Sequence, residues 1–333
     1  MIPAGATYHV NSVLDLKGCA GCTIQLEGTL LMTSDTDVWG RPDRAYPGRR
    51  RRRADHGRRR DHRRQRPDLV GPVRGGLVAR PADHAVHIGQ DLRLVNAPNV
   101  FVSAAAGTSD IELSGLALSA VSTSDNLPKN TDGFDVSGTR VALRDISIAN
   151  DDDCVALKPG ADSVEATSIT CTGGHGVSVG SLGSKAGATD TVSNVYIDGV
   201  AMIGTTKAAG IKLYPGGSAH GAAAVRNVTF ANFVVDGGAD YAFQVQSCYN
   251  EDAAYCASSP STAALADVVA RGFSGTTSGK YDPALANIDC PAAGSCGIAM
   301  SGMTVEAPSG KATYLCANTP SNLGVTCTSG ASG

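Results

Sequence analysis

The chain has 333 residues, 18% of them charged, with 40 glycines, 15 prolines and ten cysteines. No run of about 18 apolar residues occurs, which excludes a membrane-spanning helix, and the glycines with many short apolar runs point to an all-β chain with frequent turns. The formal charge of −3 conceals fifteen arginines against four aspartates between residues 40 and 80, so the remainder is acidic and gives no support to nucleic-acid binding.

Residues 1–38 read as short strands, Tyr8-His9-Val10, Thr23-Ile24-Gln25-Leu26 and Thr29-Leu30-Leu31-Met32, separated by glycines. No basic region, apolar core and small-residue cleavage site open the chain, yet its cysteines argue for an oxidising compartment. Cys154/Cys171, Cys248/Cys256, Cys290/Cys296 and Cys316/Cys327 read as local pairs closing short loops, with Cys19 and Cys22 left near the start. The expectation is a secreted, extracellular protein whose leader is absent from this chain. No Cys-x-x-Cys is matched by a second pair or by histidines, which argues against zinc. Asn227-Val228-Thr229 is a glycosylation sequon.

Residues 40–91 break the pattern. Arg49 to Arg53, Arg58 to Arg60 and Arg63-Arg64-Gln65-Arg66 form a basic tract without apolar periodicity. One reading is a disordered arm for an anionic polymer. The other starts from back-translation: Arg59 to Pro72 shifted by one base permits GGTIDGNGQTWWDP, a glycine-rich turn sequence with apolar alternation. The segment is therefore read as early coils translated in the wrong frame.

From Leu92 the β pattern returns as a repeat. Gly115-Leu116-Ala117-Leu118 is echoed by segments starting at Asp145, Ser168, Gly199, Asn232, Gly272 and Gly302, each a turn-type residue followed by apolar–small–apolar alternation. Coils of about 20–25 residues with inserted loops fit a parallel β-helix better than a propeller, whose blades need about 40 or more residues. A sandwich is the alternative. The reading is one β-helix domain over residues 1–333, with 306–333 as a capping tail closed by Cys316 and Cys327.

Within the repeat, charged groups recur at coil-like spacing: Asn130-Thr131-Asp132-Gly133-Phe134-Asp135, then Asp151-Asp152-Asp153-Cys154, Gly174-His175-Gly176 and Gly210-Ile211-Lys212. In a parallel β-helix, equivalent positions of adjacent coils lie about 4.8 Å apart. Asp132, Asp152, His175 and Lys212 can thus share one face, with Asp152 and Asp153 at a turn or strand end. Each group has a plainer reading: an aspartate run as a solvated turn or calcium ligand set, a histidine between glycines as structural, a lysine as surface charge. Their joint spacing favours chemistry, and carboxylates beside a histidine and a lysine suit glycosidic hydrolysis, with one carboxyl protonated and another ionised.

The motifs NTDGFD, DDC, GGHGVSVGSLG and GIK, in that order, resemble glycoside hydrolase family 28, the polygalacturonase family of pectin-degrading enzymes. The likeness runs from about residue 5 to the cysteine-closed tail, apart from residues 40–91. It implies a right-handed parallel β-helix and inverting hydrolysis of galacturonan without metal or cofactor. Asp152 would be the general acid, and Asp132 with Asp153 would hold and deprotonate the attacking water. His175 would lie close to the acid and support its protonation or bind substrate, Lys212 would pair with a galacturonate carboxylate, and Asn130 would orient its neighbours. Where the family has Arg-Ile-Lys, this chain has Gly210-Ile211-Lys212, which removes a bidentate clamp and opens space. The Lys207-to-Gly217 context resembles the xylogalacturonan hydrolases of the family. The implied partner is an acidic plant cell-wall polysaccharide, galacturonan or xylogalacturonan, acted on by a monomer without nucleic acid or membrane. The rivals are a polygalacturonase on unsubstituted galacturonan, a calcium-dependent lyase and a non-catalytic carbohydrate-binding β-helix.

Overall fold

The structure, a computed structural model, describes residues 5–16, 23–25, 27–33, 77–79, 84–122, 125 and 127–333. Among these, strands alternate along the chain between two sheets, and every strand pair is parallel. One coil runs from Phe134–Val136 in the smaller sheet to Thr139–Asn150 in the larger, and the next from Val155–Leu157 to Asp162–Gly173. Stacking such coils gives a parallel β-helix, closed in the hydrogen-bonding direction by the coils above and below.

The alternation read from the sequence is the packing rule of each coil. In Thr139–Asn150 the side chains of Val141, Leu143, Ile146 and Ile148 point inward and Arg140 and Asp145 outward. The break in that alternation between Leu143 and Ile146 has a local cause, a bend at Asp145 with φ of 53°. The other repeat leaders, Gly115, Ser168, Gly199, Asn232, Gly272 and Gly302, also have φ between 54° and 71°. Gly, Asn, Asp and Ser recur there because left-handed backbone is cheap for glycine and tolerable for short polar side chains. Phe230, Phe233, Phe243 and Phe273 fill the centre of the later coils, with Phe233 and Phe273 stacked at 4.7 Å.

Four disulfides join the pairs expected from local spacing: Cys154–Cys171, Cys248–Cys256, Cys290–Cys296 and Cys316–Cys327. Cys19 and Cys22 lie outside the described residues, as does most of the arginine-rich stretch; within it, Leu77–Ala79 and His84–Val95 join the two sheets. In the tail, Thr313–Ala317 and Cys327–Ser329 add the last strands of the smaller sheet.

Candidate active site

The register of the smaller sheet builds the site. Phe134, Val155, Val177 and Ala209 are aligned across successive coils. Two residues before each of them stand Asp132, Asp153, His175 and Lys207, a row of ionisable groups along one corner of the helix. Asp152 joins the row because the chain turns between Asn150 and Val155, so consecutive side chains do not alternate as in a strand. Asn150 fixes that turn: its buried Nδ2 donates to the carbonyls of Thr131 (2.8 Å) and Asp153 (3.0 Å). Gly174 is demanded by close approach, since a Cβ there would collide with the Asp152 carbonyl oxygen and with Asn150.

Asp153 is the most enclosed carboxylate, with its side chain 2% exposed. Lys212 Nζ lies 2.7 Å from Oδ2 and 2.9 Å from Oδ1, Ser178 Oγ donates at 2.6 Å, and Lys207 Nζ lies 3.6 Å away. Burial opposes its ionisation, but the two ammonium groups outweigh burial and hold the carboxyl well below the usual range. Asp152 is more open, 21% exposed; it accepts from the Asp153 N–H at 2.7 Å and lies 3.2 Å from His175 Nδ1. Burial would raise its pKa, yet those hydrogen bonds, that to His175 foremost, bring it below the usual value. Asp132 goes the other way. Burial, assisted by the charges of Asp135, Asp152 and Asp153, overrides Lys158 at 3.4 Å and pushes it up to about 8.

The free site thus keeps a proton on Asp132 rather than on Asp152, the carboxyl expected to act as acid. The groups interact, so the proton belongs to the cluster as much as to one member. The nearest oxygens of Asp152 and Asp153 lie within 4.8 Å of each other. Asp152, Asp153 and His175 are spaced closely enough to meet a cation. Calcium, however, takes about 6–8 oxygen ligands, and Asp153 already faces two ammonium groups.

Two of the expected site residues lie deeper than their sequence context suggests. Lys212, read as a partner for a substrate carboxylate, is 7% exposed and engaged by Asp153. Gly210, read as opening space, is buried: a Cβ there would meet Gln244 O at 2.6 Å and the Lys207 Cδ and Cε at 2.9 and 3.0 Å. The volume is filled by a lysine stem. Asn130 is exposed, with φ of 53°. Three contributors were not singled out from the sequence: Lys158, which bridges Asp132 and Asp135, Ser178 and Lys207. Counting the Val177-to-Ala209 register back two residues would have found Lys207.

Three comparisons bear on this geometry. The model of glycosyl hydrolases family 28 matches residues 84–328. Endo-xylogalacturonan hydrolase A of Aspergillus tubingensis and the probable endo-xylogalacturonan hydrolase A of Neosartorya fischeri are each 49% identical over 345 aligned residues, covering 100% of this chain and 84% of the relative. The crystal structure of endo-xylogalacturonan hydrolase from Aspergillus tubingensis superposes with a TM-score of 0.83 at 44% identity, over 100% of this chain and 91% of that one. Endopolygalacturonase I of Stereum purpureum, complexed with two galacturonates, shares the fold at a TM-score of 0.61 and 20% identity, over 99% and 94%. The fold is the right-handed parallel β-helix expected from the sequence. With a family model spanning most of the chain and full-length relatives near half identity, the chain belongs to glycosyl hydrolases family 28 and is a glycoside hydrolase.

Proposed function

We propose that the chain cleaves the α-1,4-galacturonan backbone of xylose-substituted pectin by inverting hydrolysis. The observation that carries this reading is the convergence of Asp132, Asp152 and Asp153 on one corner in unequal environments, their side chains 8%, 21% and 2% exposed. A pair of carboxyls held at different charge is what acid–base hydrolysis of a glycoside requires. The substrate follows from the names of the two relatives.

Asp152 is assigned as general acid on access, because its side chain is 21% exposed against 8% for Asp132 and 2% for Asp153. An anionic galacturonate placed beside Asp152 raises its pKa as any neighbouring anion does, drawing the cluster's proton from Asp132 to the carboxyl that reaches the bond. Asp152 then protonates the glycosidic oxygen as the C1–O bond breaks. Water attacks C1 from the opposite side and loses its proton to Asp153, with Asp132, now ionised, holding it. His175 lies against Asp152 and orients it. Lys212 serves through Asp153, and Lys158 supplies a partly open cation for a substrate carboxylate. Residues 1–333 are read as one catalytic domain and 306–333 as its cap, with four disulfides supporting a secreted enzyme.

The test is reducing-sugar release from xylogalacturonan and from de-esterified polygalacturonate, with proton NMR of the first anomer released. Faster release from the branched polymer, as the β-anomer, and its loss in Asp152→Asn are expected. Faster release from plain polygalacturonate would reverse the substrate preference, and the α-anomer first would overturn inversion.

A further inference from the structure

The row of ionisable groups contains a lysine that none of the roles above uses. Lys207 opens the strand Lys207–Leu213, every residue of which is buried. Its side chain is 3% exposed, yet its ammonium has one hydrogen-bond partner and one ion-pair partner. It donates to the His175 carbonyl at 2.7 Å and lies 3.6 Å from Asp153 Oδ1. A lysine buried to this extent is uncommon without such partners. It also needs a path. The stem runs over Gly210, where a Cβ would stand 2.9 Å from Cδ and 3.0 Å from Cε. The two residues are complementary: the missing side chain at one position is the room for the other.

We propose that Lys207, lodged over Gly210, is a positioning residue that keeps Asp153 ionised and fixes the peptide carrying His175. This rests on the reading of Asp153 as the base. Asp153 otherwise has one ammonium, Lys212, and one hydroxyl, Ser178, against the cost of burial and the neighbouring charge of Asp152. The ionisable groups acting on Lys207 are Asp153, Asp152 and Lys212. Lys207 is therefore itself sensitive to base: burial and the repulsion of Lys212 bring it down to about 8 despite the attraction of Asp153. The same ammonium joins base and histidine, so both are placed by one residue from the following coil.

Lys207→Met keeps the stem and removes the charge, while Lys207→Gln also removes the charge but retains a donor toward the His175 carbonyl. Loss of an opposite charge within about 4 Å raises a carboxyl pKa by roughly one unit or more. The acid limb of kcat/KM, which reports the base of the free enzyme, is expected to move to higher pH by about one unit in both variants. Urea unfolding between pH 2 and 6 reads the same carboxyl without using the reaction. Wild-type stability above pH 4 that is lost on acidification should fall less steeply in either variant, because Asp153 there has less depression to lose. Should only one variant fold, its two readouts suffice; should neither fold, a role in ionising a folded site is overturned in favour of a purely structural one. Lower activity with an unmoved acid limb and an unchanged acid slope would equally overturn the proposal. Asp153→Asn tests the underlying reading separately: full activity there would remove Asp153 as base, while the unfolding slopes would still report whether Lys207 holds its charge.

Discussion

Lys212 and Asp153, 59 residues apart in the chain, form the shortest ion pair of the site, with Nζ 2.7 Å from Oδ2 and both side chains buried. Removing one partner of such a pair leaves the other charged and desolvated, which costs about 3–5 kcal/mol when nothing compensates. Lys207 compensates in part. Lys212→Met is therefore expected to lower stability by about 2–3 kcal/mol in urea unfolding and to reduce kcat by at least tenfold. A rise in KM alone, at unchanged stability, would return Lys212 to the role of a substrate anchor.

Ser178 Oγ donates to Asp153 Oδ1 at 2.6 Å from the neighbouring coil. Hydrogen bonds to a charged group contribute about 1.5–3 kcal/mol. If Asp153 is the base, as proposed, Ser178→Ala should disfavour its ionised form, moving the acid limb of kcat/KM upward and lowering kcat about tenfold. Titration of activity from pH 3 to 7 checks the first effect, and an unmoved limb would reduce Ser178 to a packing residue.

Much of this was legible in the sequence because a parallel β-helix is a local code. Alternation within a strand sets inside and outside, and the residue types leading each repeat mark the bend, which is why Asp145, Ser168 and Asn232 share left-handed backbone with Gly115 and Gly199. Asp132, Asp152 and His175 were found because coil length brings them into one row. What the spacing could not show is depth. Lys212 read as a partner for a substrate carboxylate and Gly210 as open space, because spacing reveals neither the buried carboxylate of Asp153 nor the path of the Lys207 stem. Lys207 hid for the same reason: before small residues such as Ala208 and Ala209 it reads as a surface charge. The protonation pattern was legible only as a requirement that carboxyls differ, since which one keeps the proton depends on the relative burial of Asp132 and Asp152.

The raised pKa of Asp132 has a consequence for stability. Unfolded, this carboxyl releases its proton near 3.8; folded, it holds the proton to about 8. Between those values the native state binds more protons, so this group's contribution to stability falls as pH rises from about 4 to 8. Asp132→Asn removes that dependence. The variant is expected to be inactive but more stable than wild type at pH 7, by about 1–2 kcal/mol after allowance for the loosened Lys158. The difference should become small near pH 4, where the folded carboxyl is neutral and the unfolded one about half protonated. Melting temperatures of the two proteins at pH 4 and 7 settle it, and a variant less stable than wild type at pH 7 would contradict the assignment.

Two disulfides should behave differently under reductant. Cys154 follows Asp153 directly, and its bond to Cys171 ties the corner that carries the three aspartates to the larger sheet, with both cysteines 0% exposed. Cys248–Cys256 ties a loop to the short helix Ala253–Ser258 at the surface, with both cysteines half-buried. Thiolate attack requires access, so mild reductant is expected to open Cys248–Cys256 in the native state with most activity retained. Cys154–Cys171 should yield only on unfolding. Removing it as Cys154→Ala/Cys171→Ala should cost about 3 kcal/mol, since it closes a loop of the size that gives such values. Activity should fall with it, because the peptide carrying Asp153 loses its covalent anchor. Mass spectrometry of alkylated peptides after graded reduction, read beside residual activity, tests the order; early opening of Cys154–Cys171 with activity intact would show that the corner is held by Asn150 and its hydrogen bonds alone.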